Sequence, residues 1–390
     1  MKLLLRLGIS LSLAIGVAVC PGQTSQSYRQ TALALEQQGN NADAATAWRA
    51  YLKAHPADAE PYAHLGLLEA RQEHYKDAVP LYRKALALNP AFPGLRLDLG
   101  LALFKAGEMK EAVQILGRAL KSEPSSSPEV QRLTILLGMA HYGLAEYAEA
   151  APYLKQAAAR DPQNLGLRLS LAHSCLWSKQ YQCVLDTYHE ILTLNAESAE
   201  ADMLAGEALD ELKDKIGATQ QFRNAVKANP KEPNVHFGLG YLLWTQRQYP
   251  EAIGEFQAEI ANDTSNVEAT LYLADAEMQT SQIEAATPLL ERVVKMSPAL
   301  SLAHMDLGIV YSDAGRNEDA LEELLVAAKL DPDDTNVHWR LARLYQAMGR
   351  KPEAKAEFDK SSSLHRSTID ALVNKMNPQT KPAPPPPPDK

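Results

Sequence analysis

Three histidines have the most evident capacity for chemistry. His236, His304 and His338 stand at one register of a repeating pattern, and the last two are a single repeat apart. Imidazoles at a shared register could ligate a metal. Packed helices, however, lie about 8–10 Å apart, too far for His304 and His338 to share one tetrahedral ion, so all three are expected to be packing residues. His189-Glu190 runs on as Ile191-Leu192-Thr193, without the second histidine of a His-Glu-x-x-His metal helix. No glycine-rich phosphate loop and no Gly-x-Ser-x-Gly elbow occurs. No catalytic residue, cofactor or metal site is expected, and the chain reads as a non-enzyme.

Cys175 and Cys183 are the remaining candidates for covalent chemistry, too few for a disulfide framework. A bridge is open to them in an oxidising compartment. The helical register places Cys175 on a core face and Cys183 on an outward one, so two separate thiols are expected.

The elements that position these residues follow from a period of 34. Units begin at Ser25, Ala59, Pro93, Gln131, Leu165, Ala199, Pro233, Val267, Ser301 and Thr335, with one four-residue insertion, Ser127 to Val130, expected to lengthen a connecting loop. Position 8 of each unit is Gly or Ala in all ten, and position 20 is Ala in nine, with Val184 the exception. These small residues are expected to face each other where two helices cross. Position 24 is always large and apolar, as in Trp48, Tyr82, Phe222, Phe256 and Phe358. Position 32 is Pro in seven units, where it ends the second helix. Two units depart from the pattern: the fifth has Val184, Ile191 and Ala196, and the seventh has Glu259 and Thr264 at positions 27 and 32. Both are expected to pack less regularly.

A period in this range marks a helical solenoid. In these positions the chain resembles the tetratricopeptide repeat family over residues 25–366. The resemblance implies an all-α, right-handed superhelical solenoid of about ten helix-turn-helix repeats. Residues 367–377 are expected to form a capping helix, since Ile369, Leu372, Val373 and Met376 keep helical spacing. Residues 378–390 follow as a proline-rich tail, read as an extended, disordered polyproline rod; a ligand for an aromatic groove is the alternative.

In the family, positions 5, 9 and 12 of the first helix line a concave groove, and spacings of four and three put them on one face here. The third unit offers Leu97, Leu101 and Phe104, the fourth Ile135, Met139 and Tyr142, and the seventh Phe237, Tyr241 and Trp244. The fifth adds Leu169, His173 and Leu176, and the tenth has Trp339 beside Arg343. Acidic rungs at Glu207, Asp210 and Asp275 would favour partners with basic groups near the apolar anchors. Packing against the neighbouring first helix is the competing reading of the apolar positions. The aromatic trio of the seventh unit is the strongest candidate, and Trp244→Ala is expected to weaken partner binding with little effect on the thermal midpoint. The Lys, Asn and Arg carboxylate clamp of some family members has no counterpart at these positions.

The net charge of −9 and the absence of a long basic run argue against nucleic acid. Residues 1–22, with Lys2 and Arg6 ahead of an apolar run from Leu7 to Val19, have the layout of a secretory signal peptide. An uncleaved anchor and a lipid-carrying Cys20 are the alternatives. The reading that results is an exported scaffold, periplasmic or envelope-associated, that binds a protein or peptide partner. The alternative is a non-catalytic regulatory or substrate-recruiting subunit of an envelope enzyme complex.

Overall fold

The computed structural model describes residues 21–376 apart from residue 126. Residues 1–20 of the expected leader, with Cys20, and the proline-rich tail lie outside the described residues. The chain divides between Glu190 and Ile191 into two compact units, described separately below.

The first unit is built from α1 (Pro21–Gln37), α2 (Asn41–Ala54), α3 (Ala59–Arg71), α4 (Tyr75–Leu88), α5 (Leu95–Ala106), α6 (Met109–Ser122), α7 (Glu129–Gly143), α8 (Tyr147–Arg160) and α9 (Leu165–Trp177), with α10 (Tyr181–Leu194) running over the division. The second comprises α11 (Ala199–Glu211), α12 (Lys215–Ala228), α13 (Val235–Thr245), α14 (Tyr249–Asn262), α15 (Val267–Gln279), α16 (Ile283–Met296), α17 (Ser301–Asp313), α18 (Asn317–Leu330), α19 (Thr335–Ala347) and α20 (Lys351–Met376). The described residues form no strand. Odd-numbered helices are the first helices of the repeats and even-numbered ones the second. Each begins where the 34-residue register puts it, within about two residues, except α1, which starts further upstream at Pro21.

Local signals set the helix starts. Asp58, Asn164, Ser198, Asn266 and Asp334 stand just ahead of a repeat and accept a backbone N–H of the helix that follows, the usual N-cap arrangement. The turn inside each hairpin has a different origin. Position 15 is left-handed in every repeat, at Gly39, Glu73, Gly107, Ala145, Lys179, Lys213, Arg247, Ser281, Gly315 and Gly349. Only four of these are glycine, and the left-handed conformation costs other residues about 1–2 kcal/mol. Hairpin packing therefore imposes the turn on whatever residue stands there.

The small residue at position 8 serves a partner other than the one expected. A Cβ on Gly100 would stand 2.3 Å from Leu116, on Gly206 2.6 Å from Phe222, and on Gly240 2.8 Å from Phe256. These partners all occupy position 24, so the first helix is kept bare to admit the large side chain of the second. The core of the first unit runs through Tyr82, Leu99, Leu103, Leu116 and Leu137. The second unit has Phe222 and Phe256 among Leu239, Leu242 and Leu243, then Leu290, Leu307, Leu324 and Leu341 further on.

The position-4 histidines are packing residues. Nδ1 of His236, His304 and His338 lies 2.6 Å from Glu255, Glu323 and Glu357, each at position 23 of the same hairpin. Nε2 of His304 and His338 also reaches the carbonyl of Pro298 (3.1 Å) and Pro332 (2.9 Å) in the preceding repeat. Each of these two rings thus ties its hairpin to the one before.

Three expectations are corrected. Cys175 and Cys183 are joined in a disulfide, with Cα atoms 5.9 Å apart. Cys175 is in the core and Cys183 half-buried, but the tight turn at Lys179 folds α10 back on α9 and brings both within bonding reach. Closing so short a loop stabilises by about 2–3 kcal/mol. Cys175→Ser with Cys183→Ser should lower the unfolding free energy by that amount, and a reducing agent should then shift the denaturation midpoint of the natural chain and leave that of the double variant unmoved. Second, the insertion does not spare the helices, since Glu129 and Val130 enter the first turn of α7, where Ser127 Oγ accepts the Glu129 N–H at 3.2 Å. Third, residues 367–376 form no separate cap. They prolong α20 without a break, and Ile369, Leu372 and Val373 are 45–54% exposed. Nothing between Lys360 and Ser367 resembles the Pro or Gly stop of the earlier repeats, so the helix continues past its hairpin.

Candidate functional site

The aromatic trio of the seventh repeat is one cluster in the second unit, with a member the register did not suggest. Along α13, Phe237 stacks on Tyr241 (6.3 Å between centroids) and Tyr241 on Trp244 (6.1 Å). Tyr272 of α15 meets all three edge-on, at 5.9, 5.4 and 5.1 Å. These offset and T-shaped contacts hold the rings rigid. The Trp244 indole N–H donates to Asp275 Oδ2 at 2.5 Å, locking the tryptophan to the next repeat. Phe237, Tyr241, Trp244 and Tyr272 all remain half-buried.

An irregularity of the seventh repeat positions this cluster. Where half of the repeats have Ala at position 27, this one has Glu259. Its carboxylate is buried and accepts the backbone N–H of Asn234 and of Phe237, each at 3.1 Å. Asn234 is left-handed and offers α13 no side-chain cap. Glu259 replaces that cap with a full negative charge at the helix N-terminus. The departure expected to loosen the repeat instead fixes the helix that carries the aromatics. Glu259→Ala should cost about 2 kcal/mol, because two part-buried backbone donors lose a buried charged acceptor; denaturant unfolding measures it, and a change below about 0.5 kcal/mol would show that water replaces the carboxylate.

Beyond Asp275 the same face continues through Asp306 on α17 to Arg340 on α19. Burial, then the neighbouring charge of Asp275, pushes the Asp306 carboxyl up to about 7, against the opposing pull of Arg340. Among the described residues Asp306 takes no hydrogen bond and no ion pair. Burial also raises the Tyr272 hydroxyl, with Tyr241, Glu268 and Asp275 adding to it. On α19, Trp339 is 40% exposed, and the guanidinium groups of Arg340 and Arg343 lie 5.2 and 5.1 Å from its ring, a cation–π arrangement.

The other expected groove residues divide. Leu97 and Leu176 are 8% exposed and belong to the core, so the packing reading holds for them. Leu101, Phe104, Ile135, Met139, Leu169 and His173 are half-buried along the first helices of the first unit. There Tyr142 meets Tyr147 (5.7 Å) and His173 (6.4 Å), and Tyr147 stacks on the exposed Trp177. Of the acidic rungs, Glu207 is exposed. Asp210 is neutralised by Lys215 of its own hairpin at 2.5 Å. Asp275 is held by Trp244 and, at 3.4 Å, by Gln279. Tyr272, Asp306 and Arg340 lie outside positions 5, 9 and 12, the groove positions that the family resemblance implies. All three stand at position 6 of consecutive repeats, and that shared register was the available signal.

Profiles of the tetratricopeptide repeat match residues 69–134, 277–338 and 314–372, residues 29–94 and 217–267, and residues 132–164. The chain belongs to the tetratricopeptide repeat family. It has the family's all-α superhelical repeat fold and is a scaffold for protein–protein interaction; repeats of this family are generally non-catalytic. Curated relatives include the BBSome complex member BBS4 of Xenopus tropicalis, 28% identical over 40% of this chain and 30% of that protein, and human Superkiller complex protein 3, 23% identical over 63% and 16%. Tetratricopeptide repeat protein 37 of Xenopus laevis is 26% identical over 40% and 10%. The chain thus spans less than a third of each of these relatives. Similar solved structures include YrrB, described as a TPR protein with an unusual peptide-binding site (18% identical, 48% of this chain and 97% of that one, TM-score 0.42), and MamA from Desulfovibrio magneticus RS-1 (21%, 43% and 96%, TM-score 0.42).

Proposed function

We propose that this tetratricopeptide repeat protein is an exported scaffold that holds a segment of a partner protein along the first-helix face of its second unit. The observation that carries the reading is the half-buried ring cluster Phe237–Tyr241–Trp244–Tyr272, continued by a carboxylate without a partner at Asp306. Half-buried rings held by their neighbours are the usual anchors of a binding surface. Export is supported by the signal-like layout of residues 1–22 and by the Cys175–Cys183 bridge, which suits an oxidising compartment. Assembly of an envelope or secretion complex is the role that such a scaffold would have there.

Two measurements test this. Mass spectrometry of the natural protein should find a mature N-terminus near residue 22; an intact Met1 on a cytoplasmic protein overturns export. Crosslinking from position 241 in whole cells, followed by isolation of the adduct, should give a stoichiometric protein partner. An enzyme as the sole partner would make the chain its regulatory or recruiting subunit. Absence of any adduct removes this face from the binding site.

A further inference from the structure

Three consecutive repeats of the second unit present three different chemistries on one face. The helix α15 offers Tyr272 within the ring cluster, α17 offers Asp306, and α19 offers Arg340 and Arg343 beside Trp339. Among the described residues neither Asp306 nor these two arginines has an ion-pair partner. A carboxylate covered by a protein surface without a cation is penalised by desolvation. Uncompensated arginines opposite an acidic partner gain affinity, whereas opposite a basic one they repel it. The order of the three chemistries therefore restricts what can lie across them.

Resting on the function proposed above, we propose that the occupant is an extended polypeptide segment read in the order aromatic, basic, acidic. A large aromatic or apolar side chain lies on Tyr241 and Tyr272, a lysine or arginine reaches Asp306 with Asp275 behind it, and a carboxylate meets Arg340 and Arg343. An extended chain advances about 3.3 Å per residue, and neighbouring first helices stand about 10 Å apart, so these side chains fall about three residues from one to the next. The basic residue is the discriminating one, because it alone converts Asp306 from a burden on the free protein into an attraction in the complex. The raised carboxyl supports this: Asp306 feels Asp275 on α15 and Arg340 on α19, and the two larger influences, burial and Asp275, favour a proton or an incoming cation.

The probe is a displayed library of random extended peptides selected on the full chain. Enriched peptides should carry Lys or Arg about three residues from an aromatic. In the best of them, Lys→Gln should weaken binding tenfold or more to the natural chain and less than twofold to Asp306→Asn. The same lysine peptide should bind more tightly at pH 8 than at pH 6, since it prefers ionised Asp306, while the glutamine peptide should not change. Peptides that need Tyr241 but show no charge preference, or an equal Lys→Gln loss on Asp306→Asn, overturn the assigned order and leave the groove reading intact. No enrichment, or binding indifferent to Tyr241→Ala, overturns both. Circular dichroism of Asp306→Asn and Tyr241→Ala confirms that each variant is folded.

Discussion

Asp306→Asn should raise the thermal midpoint at pH 8 and leave it unchanged near pH 4. In the folded chain burial and Asp275 keep the Asp306 proton up to about pH 7, whereas an unfolded aspartate releases it near 4. Between those values the folded state binds more protons than the unfolded state, so stability falls as the pH rises through this window. Above pH 7 the loss is complete, and below pH 4 it is absent. At about 1.4 kcal/mol for each unit, the displacement sets a ceiling of about 4 kcal/mol. Solvent reaching the half-buried carboxylate reduces it to about 2 kcal/mol. Asparagine keeps the shape and removes the charge, so the midpoint at pH 8 should rise by about 4–8 °C. Equal effects at pH 8 and pH 4 would mean that the side chain matters for packing alone. A stabilising change that also weakens partner binding is the mark of a residue retained for recognition.

Tyr241→Ala should weaken partner binding about thirtyfold, the effect of one aromatic anchor of about 2 kcal/mol. It is a cleaner probe than Trp244, the residue that the sequence singles out. The Trp244 N–H holds Asp275, and its ring packs on Tyr272. Trp244→Ala therefore removes a part-buried hydrogen bond and leaves Asp275 with the longer one from Gln279, at about 1 kcal/mol or more, besides the lost packing. Its midpoint should fall clearly, contrary to the sequence-based expectation. Among the described residues the ring contacts of Tyr241 are with Phe237, Trp244 and Tyr272. Tyr241→Phe separates the roles of ring and hydroxyl: binding retained by Phe and lost with Ala identifies the ring as the anchor. Isothermal titration with the crosslinked partner, alongside thermal unfolding of each variant, gives both quantities. Partner affinity unchanged in Tyr241→Ala would remove the ring cluster from the interface.

The period of 34 determined the fold by itself. Helix positions, the stops at Pro90, Pro124 and Pro162, and the caps at Asp58, Asn164 and Ser198 depend on neighbours within a few residues, and a register repeated ten times makes those local preferences agree. The ring-bearing face of α13 was legible for the same reason. What the tertiary structure decided lies in contacts between helices far apart in sequence. Position 15 has no common residue type, yet every repeat turns left-handed there because the second helix must return along the first. Glu259 looks like a defect in its own helix and becomes a cap only when α14 lies against the start of α13. The charge on Asp210 is visible in the chain, but its neutralisation by Lys215 requires the hairpin to close. Asp306 is one acidic residue among many in the sequence. Its elevated proton affinity comes from burial and from a second carboxylate 31 residues earlier, because electrostatics depends on distance in space and on the exclusion of water.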